Sequence, residues 1–230
     1  MTHPLDRPIW TSLATRQQPL GFGDARARRF DPGYAVFAAA ADRSPASGAA
    51  LVDLIRTHGD AALVEADRPD VPAGLEVLSE ATLWQMAASD KLKLVHPRFD
   101  WEPLTEADAP QILALATLTR PGPFFARTHQ LGDFVGVKQA GRLVAMAGER
   151  MKLTGFTEVS GVCVHPHHRG HGYAAGLMSL VAEKILGRGE TPFLHVYDDN
   201  APAISIYEAL GYRLRREMTM LMVRANSCDG

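Results

Sequence analysis

The sequence predicts an α/β protein, and three observations support this class. Apolar segments with strand character alternate with amphipathic helical segments along the chain. In the second half, a hairpin pattern around residues 139–142 is followed by a strand–helix–strand unit. A composition of 46% hydrophobic and 22% charged residues is ordinary for a globular protein with a substantial core. We therefore expect a mixed sheet with helices on both faces.

Charge and cysteine content exclude several classes of function. A net charge of -2 gives no reason to expect nucleic acid or an anionic membrane as a partner. Cys163 and Cys228 are too few for a disulfide framework, and no apolar run approaches the roughly 20 residues needed to span a bilayer. Because the first residues also lack the order of a secretion signal, we expect a cytoplasmic protein.

The two halves of the chain differ in how sharply they are patterned. Residues 1–98 alternate α and β character weakly, with a strand predicted over 34–40 and a loop over 44–48, and contain no chemical motif. Residues 99–230 are patterned more clearly, and a helix is predicted over 170–187. We therefore expect an N-terminal region of 1–98, whose role is open, and a functional domain of 99–230.

A glycine-rich turn between a strand and a helix is the most informative segment. The apolar strand ends at Pro166, and Arg169, Gly170 and Gly172 follow immediately before the helix. Bare N–H groups at a helix N-terminus bind phosphate, and the helix dipole favours negative charge there. Glycines allow close approach of the anion, and arginine adds a fixed positive charge. The segment therefore predicts a phosphate-binding turn.

Two nucleotide-binding motifs are alternatives for this turn. The segment from Gly170 to Ala175 fits the dinucleotide fingerprint, and Asp198 lies at a suitable distance for a ribose contact. However, residues 165–169 separate the strand from the first glycine, and too few residues follow for a doubly wound domain. A triphosphate-binding loop is excluded because no Gly-Lys-Ser/Thr follows. A nicotinamide-dependent dehydrogenase is therefore disfavoured.

The residues downstream of the turn indicate a different phosphate-bearing ligand. The pattern Arg169-x-x-Gly172-x-Ala174, followed by Asn200 and by Tyr207-Glu-Ala-Leu-Gly-Tyr, resembles the acyl-CoA-binding signature of the GNAT superfamily of N-acyltransferases. The resemblance covers about residues 99–224. It implies a GNAT acyltransferase fold, a mixed and strongly twisted sheet flanked by helices, and transfer of an acetyl group from acetyl-CoA to an amine. Residues 1–98 lack the motif and are a candidate degenerate copy of this fold.

The resemblance implies a site for acetyl-CoA as acyl-donor substrate, with no metal. Strand residues before the turn would pair with the pantetheine arm, and the amides of the turn would hold the pyrophosphate. His171 is equally well explained as a solvated loop residue, and Asn200 could also cap the next helix. The residues implied to bind the donor are Val162, Cys163, Val164, Arg169, Gly170, His171, Gly172, Tyr173, Ala174 and Asn200.

Two catalytic residues are also implied. Tyr207 is the candidate general acid, because the CoA thiolate, with a pKa near ~8.5, needs a proton that a phenol with a pKa of ~10 can supply. Glu158 is the candidate general base, directly or through a water, and Glu149 is a weaker candidate. Cys163 is expected to be a small buried apolar residue, and an acyl-cysteine route is a minor alternative.

The amine acceptor is not identified by the sequence. Segments 121–130 and 149–156 would line its pocket, and their aromatic residues Phe124, Phe125 and Phe156, with few acids, argue against a polycationic acceptor. We expect a small-molecule or peptide amine as acceptor, no nucleic acid or membrane partner, and a monomer or homodimer. The alternative function is a non-catalytic acyl-CoA-binding regulatory module, which predicts binding of acetyl-CoA without turnover.

Overall fold

A computed structural model of the protein describes residues 3–226, and Cys228 lies outside them. Five α-helices and eleven strands alternate along this part of the chain. The helices are α1 (Pro8–Ala14), α2 (Pro45–His58), α3 (Ala109–Thr119), α4 (Tyr173–Gly187) and α5 (Ala201–Ala209). The strands are β1 (Gly21–Gly23), β2 (Ala27–Phe30), β3 (Ala38–Ala40), β4 (Ala61–Glu65), β5 (Leu75–Ala88), β6 (Glu102–Leu104), β7 (Phe134–Gln139), β8 (Arg142–Leu153), β9 (Phe156–Val164), β10 (Thr191–Tyr197) and β11 (Tyr212–Ala225).

Eight strands form one mixed sheet that includes both halves of the chain. Their order is β4-β11-β5-β10-β9-β8-β7-β6, in which β9 and β10 run parallel and all other neighbours run antiparallel. Strands β1, β2 and β3 form a second sheet, which meets the first through a single parallel bridge between Phe37 and Ala62. This architecture confirms the predicted mixed α/β sheet flanked by helices.

Helices cover the two faces of the large sheet with separate apolar cores. On one face, Ile9 and Leu13 of α1 pack in a cluster with Leu153 of β8 and Phe193 of β10. On the other face, Leu177, Val181 and Ile185 of α4 pack in a cluster with Leu194 and Val196 of β10, and α4 also contacts β7, β8 and β9. Because successive side chains of a strand point to opposite faces, β10 contributes to both cores. No helix within residues 3–226 is long and apolar enough to cross a membrane.

The two halves of the chain exchange their last strands within the large sheet. Strand β5, from the first half, lies between β10 and β11, and β11, from the second half, lies between β4 and β5. The β5–β11 pair is long, running from Leu75 opposite Ala225 to Ala88 opposite Tyr212. Strand β5 therefore takes both of its hydrogen-bonding neighbours from the second half, and β11 takes both of its neighbours from the first half. The sheet thus continues without a break across residue 98.

Both halves contain the order helix, three strands, helix, strand and a long last strand, to which the second half adds β6 at its start and α5 before β11. In the first half, β3, α2 and β4 form a strand–helix–strand unit whose strands meet only at the parallel bridge. In the second half, β9, α4 and β10 form such a unit, with parallel pairing between residues 156–158 and 191–193. A long antiparallel strand, β5 or β11, then follows the unit and pairs with the other half.

The structure differs from the predicted elements mainly in the first half. The loop predicted over 44–48 is wrong, because this segment is the first turn of α2: the Ser44 side chain accepts a hydrogen bond from the Ser47 amide, and Pro45 occupies the first helical position. The strand predicted over 34–40 is limited to β3. The hairpin near 139–142 is confirmed, with Ala140 and Gly141 both at positive φ.

Deleting residues 1–98 should prevent the remaining chain from folding. The fragment 99–230 would lose β5, which in the full chain hydrogen-bonds to both β10 and β11, so backbone groups on β10 and β11 would lack partners. We expect no cooperative thermal transition by circular dichroism for this fragment alone, and recovery of the transition when 1–98 is co-expressed. A fragment that melts cooperatively at the Tm of the full chain would contradict the exchange of strands as a requirement for folding.

Candidate active site

A cleft opens where the parallel strands β9 and β10 separate. They pair only between Phe156–Glu158 and Thr191–Phe193, and beyond these residues β10 pairs with β5 while β9 pairs with β8. The register of β9 shifts between Ser160 and Cys163, where Gly161 has a φ of +62°. Such a bulge bends a strand and increases its twist. The cleft encloses about 240 Å³ and is lined by residues from both halves of the chain.

The glycine-rich turn lies at one end of this cleft and leads into α4. No side chain caps the start of α4, whereas Ser44 caps α2 and Asn200 caps α5. Gly170 and Gly172 have φ of +84° and +75°, and nothing lies within 4 Å of the position that a Cβ would take on either. The turn thus requires glycine for its backbone, and it leaves the first helical amides bare, as a phosphate site needs.

The residues expected to bind an acyl donor lie around the same end of the cleft. Val162, Cys163 and Val164 line it on the part of β9 that does not pair with β10, and Arg169 lines it from the turn. Asn200 also lines it, while its Oδ1 accepts a hydrogen bond from the Ala203 amide at 3.3 Å. The capping role of Asn200 is therefore present together with its place in the cleft.

Three further expected residues surround the start of α4. His171 is exposed, and its ring stacks on that of Tyr173 with 5.6 Å between centroids. The Tyr173 side chain is buried and packs edge-on against Phe99. Tyr173 therefore contributes its backbone amide to the turn, and Ala174 contributes its backbone amide as well.

Half-buried Tyr207 and buried Cys163 both line the cleft, and both are protonated. Burial raises the pKa of the Tyr207 phenol to about 12, with a smaller contribution from nearby Cys163. Burial also raises the pKa of the Cys163 thiol to about 12. Since the thiolate is the nucleophilic form of cysteine, this environment suppresses covalent chemistry at Cys163. The Tyr207 phenol also keeps its proton, and the protonated phenol is the form that can act as a proton donor.

Glu158 is fully buried beside the cleft and is bound on both of its oxygens. Arg150 donates to it from Nε at 2.8 Å and from Nη2 at 2.7 Å, and His195 Nδ1 lies 2.7 Å from Oε1. Burial by itself raises the pKa of Glu158, but the charge and hydrogen bonds of Arg150, together with the bond to His195, outweigh it and hold that pKa far below its usual range. This geometry opposes the general-base role expected for Glu158, because such a carboxylate has little affinity for a proton.

Glu149, the weaker candidate base, is also buried and lies outside the cleft. Its carboxylate forms ion pairs with Arg188 at 2.7 Å and with Lys152 at 2.8 Å.

Among residues 3–226, no acidic side chain lines the cleft. In the same part of the chain, no group of three or more His, Cys, Asp or Glu side chains is arranged to hold a metal.

A chain of buried polar side chains connects Glu158 to the first half of the protein. Gln85 of β5 places its Nε2 at 3.0 Å from His195 Nε2 and donates from the same nitrogen to the Leu5 carbonyl at 2.9 Å. An amide nitrogen only donates, so His195 Nε2 accepts and its Nδ1 carries the proton given to Glu158. The strands β5, β9 and β10 are thus joined through this imidazole.

The far end of the cleft is lined by residues that the sequence did not indicate. Phe37, Val64 and Leu83 of the first half and Met220 of β11 form an apolar wall. The Arg150 guanidinium lies over the Phe37 ring, with 4.9 Å between the Arg150 Cζ and the ring centroid. These residues approach the cleft only because the halves exchange strands, so no local sequence signal marks them.

The segments expected to form the acceptor pocket contribute to it only in part. Residues 121–123 line the cleft, as do Arg150 and Met151. Phe124, Phe125 and Phe156 do not line it. Phe124 instead packs edge-on against the Phe134 ring in an apolar cluster under α3, and Phe156 packs on the cluster that contains α1. The apolar surfaces of Phe124 and Phe156 thus pack against the core.

The second half of the chain matches known proteins at the sequence level. Residues 134–221 match the family model of FR47-like proteins. An acetyltransferase of Sodalis glossinidius (strain morsitans) is 39% identical over 59 residues, which are 25% of this chain and 42% of that protein. The matched segment thus spans less than half the length of this curated relative.

Solved structures match both halves. A GCN5-related N-acetyltransferase from Kribbella flavida is 22% identical, with a TM-score of 0.60 over 94% of this chain and 92% of its own, and shares the fold. A candidate acetyltransferase of the GNAT family from Novosphingobium aromaticivorans DSM 12444 is 42% identical, with a TM-score of 0.88, and the match covers 98% of this chain and 100% of that chain. Identity at this level over almost the whole chain shows common family membership. The protein therefore belongs to the GNAT superfamily of acetyltransferases.

Proposed function

We propose that the protein transfers an acetyl group from acetyl-CoA to an amine by direct attack in a ternary complex. One observation carries this proposal: Arg169, which leads into the uncapped glycine turn before α4, and the protonated Tyr207 line one cleft between two separating parallel strands. The turn supplies a phosphate site, the open stretch of β9 supplies backbone groups for an amide-bearing arm, and Tyr207 supplies a proton donor.

The residues of the cleft fit acetyl-CoA as donor substrate. Bare amides at Tyr173 and Ala174, with the exposed Arg169, suit its pyrophosphate. Residues 162–164 are free of β10 on one edge, so the amides of pantetheine can pair there as an added strand does. Asn200 borders the same space and can hydrogen-bond the donor with the amide group that is left free by its capping bond.

In the proposed reaction the amine nitrogen forms a bond to the thioester carbon. The C–S bond breaks, the sulfur takes its electron pair, and Tyr207 donates the phenolic proton to the resulting thiolate before solvent reprotonates the phenol. The amine gives up its own proton to water, because no described carboxylate lines the cleft. Holding thioester and amine together supplies much of the rate, so no covalent enzyme intermediate is required.

We also propose that residues 1–98 are a degenerate copy of the same fold. The shared order of elements and the mutual exchange of β5 and β11 support this origin. Where α4 has a bare glycine turn, the start of α2 is filled by its own side chains: Asp42 Oδ1 accepts from the Ser44 amide at 2.9 Å, and Ser44 caps the helix. The first copy is therefore expected to bind no CoA and to act as a wall of the cleft.

The proposed activity is tested by release of the CoA thiol from acetyl-CoA in the presence of a panel of amines. Calorimetry with acetyl-CoA alone, run in parallel, measures binding without turnover. Amine-dependent thiol release supports the enzyme. Binding without transfer to any amine would instead support the non-catalytic regulatory module.

Replacing Gly172 by alanine should weaken binding of acetyl-CoA. A residue with a Cβ at φ of +75° costs about 1–2 kcal/mol in the left-handed region, and the turn will move away from the geometry that presents its amides. We expect the Kd measured by calorimetry to rise about 10-fold, with one site per chain in the wild type. Gly189→Ala is the matched control, since Gly189 has the same φ and equal space but lies at the other end of α4. An equal loss of affinity in both variants would argue against the turn as the phosphate site.

Replacing Tyr207 by phenylalanine should lower turnover far more than donor affinity. Loss of general acid catalysis reduces kcat by about 10²-fold or more, while the Kd of acetyl-CoA stays near the wild-type value. Tyr212→Phe is the control, because the Tyr212 hydroxyl is buried without a hydrogen-bond partner and its removal breaks none. Wild-type turnover in Tyr207→Phe would exclude the role.

The pH dependence of turnover gives a second measurement on Tyr207. Its pKa is raised to about 12, so the donor form persists well above neutral pH. With saturating substrates, kcat should therefore show no alkaline decline from loss of this proton between about pH 8 and 10. A decline in this range that Tyr207→Phe abolishes would show that the phenol ionises earlier.

Replacing Cys163 by alanine should leave turnover intact. A thiol whose pKa is about 12 has a negligible thiolate fraction near neutral pH, so it does not accept the acetyl group. We expect single-turnover mass spectrometry of the wild type to show no acetylated protein, and the variant to keep its kcat while losing about 1 kcal/mol of stability through the lost sulfur. An acetyl adduct that disappears in Cys163→Ala would support the covalent route instead.

A further inference from the structure

We propose that the amine acceptor is a small amino acid with an apolar side chain, whose carboxylate binds the guanidinium of Arg150. This inference rests on the proposed acetyl transfer and names the substrate class of the same cleft. It follows from four features: the unused donors of Arg150, their fixed position, the charge of the cleft, and its size and apolar wall.

Arg150 has hydrogen-bond donors that face the cleft. Its Nε and one hydrogen of Nη2 bind Glu158, while Nη1 makes no hydrogen bond to any residue within 3–226. The Nη1 atom is accessible rather than buried. Arg150 lines the cleft, with 11% of its side chain exposed. The end of the guanidinium formed by Nη1 and Nη2 is thus open to a ligand and matches the two oxygens of a carboxylate.

The Arg150 side chain is held in place before any ligand binds. The register of β8 against β9 shifts between Glu149 and Lys152, and the Gln17 side chain fills this bulge: it donates to the Arg150 carbonyl at 2.8 Å and accepts from the Lys152 amide at 2.9 Å. Glu158 binds the head group, and the Phe37 ring supports its face. A fixed guanidinium loses little freedom when it binds an anion.

The charges around the cleft favour an anionic group on the acceptor. Its charged lining consists of Arg120, Arg150 and Arg169, without an acidic side chain from the described residues. Arg169 belongs to the phosphate turn, and Arg120 is exposed at the end of α3. Arg150 is therefore the cation available in the interior of the cleft, and the carboxylate already bound to it, Glu158, occupies Nε and one side of Nη2 rather than the Nη1 end.

The dimensions of the cleft favour a small and apolar acceptor. A volume of about 240 Å³ is below the range of roughly 300–1,000 Å³ that is common for ligand sites, and the thioester end occupies part of it. Phe37, Val64, Leu83 and Met220 offer the acceptor only apolar contacts. An amino acid with an aliphatic side chain matches the arginine, the wall and the volume together.

The experiment compares amines that differ only in the carboxylate. L-Leucine is paired with 3-methylbutylamine and L-valine with 2-methylpropylamine, and kcat/KM is measured by thiol release from acetyl-CoA. Hydrogen bonds to a charged group make the wild type favour each amino acid by about 30-fold or more. Equal or greater kcat/KM for the amines that lack the carboxylate would overturn the proposal.

The variants locate the carboxylate site. Arg150→Gln alone leaves Glu158 buried without its cation and endangers folding, so the variant used is Arg150→Gln with Glu158→Gln, which removes both charges. Thermal melting and the Kd of acetyl-CoA confirm that it is folded. We expect its preference for the amino acid to fall below about threefold. A double variant that keeps the wild-type preference, or loss of the preference in Arg120→Gln instead, would refute the role of Arg150.

One further measurement separates this proposal from the proposed function. If acetyl-CoA binds but no amine of any kind is acetylated, the transfer activity itself fails. Calorimetry of the wild type with N-acetyl-L-leucine and with N-(3-methylbutyl)acetamide then still tests the carboxylate site without turnover. Tighter binding of the acid, lost in the double variant, supports the site, and equal binding of both compounds refutes it.

Discussion

The pairing of β5 with β11 is the constraint on which the rest of this structure depends. These two strands come from different halves of the chain, and each also borders a strand of the half to which it does not belong. The cleft lies directly beside this pair, because β10 is held by β5 while it separates from β9. The same exchange brings Phe37, Val64 and Leu83 to the far end of the cleft. The exchange of strands thus builds both the sheet and part of the wall of the cleft.

The buried polar chain from Gln85 to Arg150 shows how the first half acts on the site. Taking Arg150 and Glu158 out of water costs free energy that a well-packed apolar pair would avoid. The bidentate geometry and the bond from His195 offset this cost, and they leave part of the guanidinium unused beside the cleft. Such a pair contributes more to the position of one cation than to stability. The carboxylate that looked like a base from the sequence is here the anchor of an arginine.

The two ends of the cleft use different electrostatic means. At the proposed donor end, bare helix amides and glycines offer backbone groups to an anion, with one exposed arginine beside them. At the proposed acceptor end, Arg150 is bound by Glu158, which is linked through His195 to Gln85. Between them, burial keeps Tyr207 and Cys163 protonated. The backbone anion site is formed by one short sequence motif, whereas the residues that hold Arg150 come from distant parts of the chain.

The sequence by itself determined the α/β class, the second-half elements and the glycine turn before α4. These are local features: the turn needs Gly170 and Gly172 for its backbone, and the helix that follows it needs only an amphipathic pattern. Only the tertiary structure decided that β5 enters the sheet between β10 and β11, that Glu158 is bound by Arg150, and that Phe37 faces the cleft. The reason is physical: these contacts join residues far apart in the chain, and a strand pattern does not specify its partner.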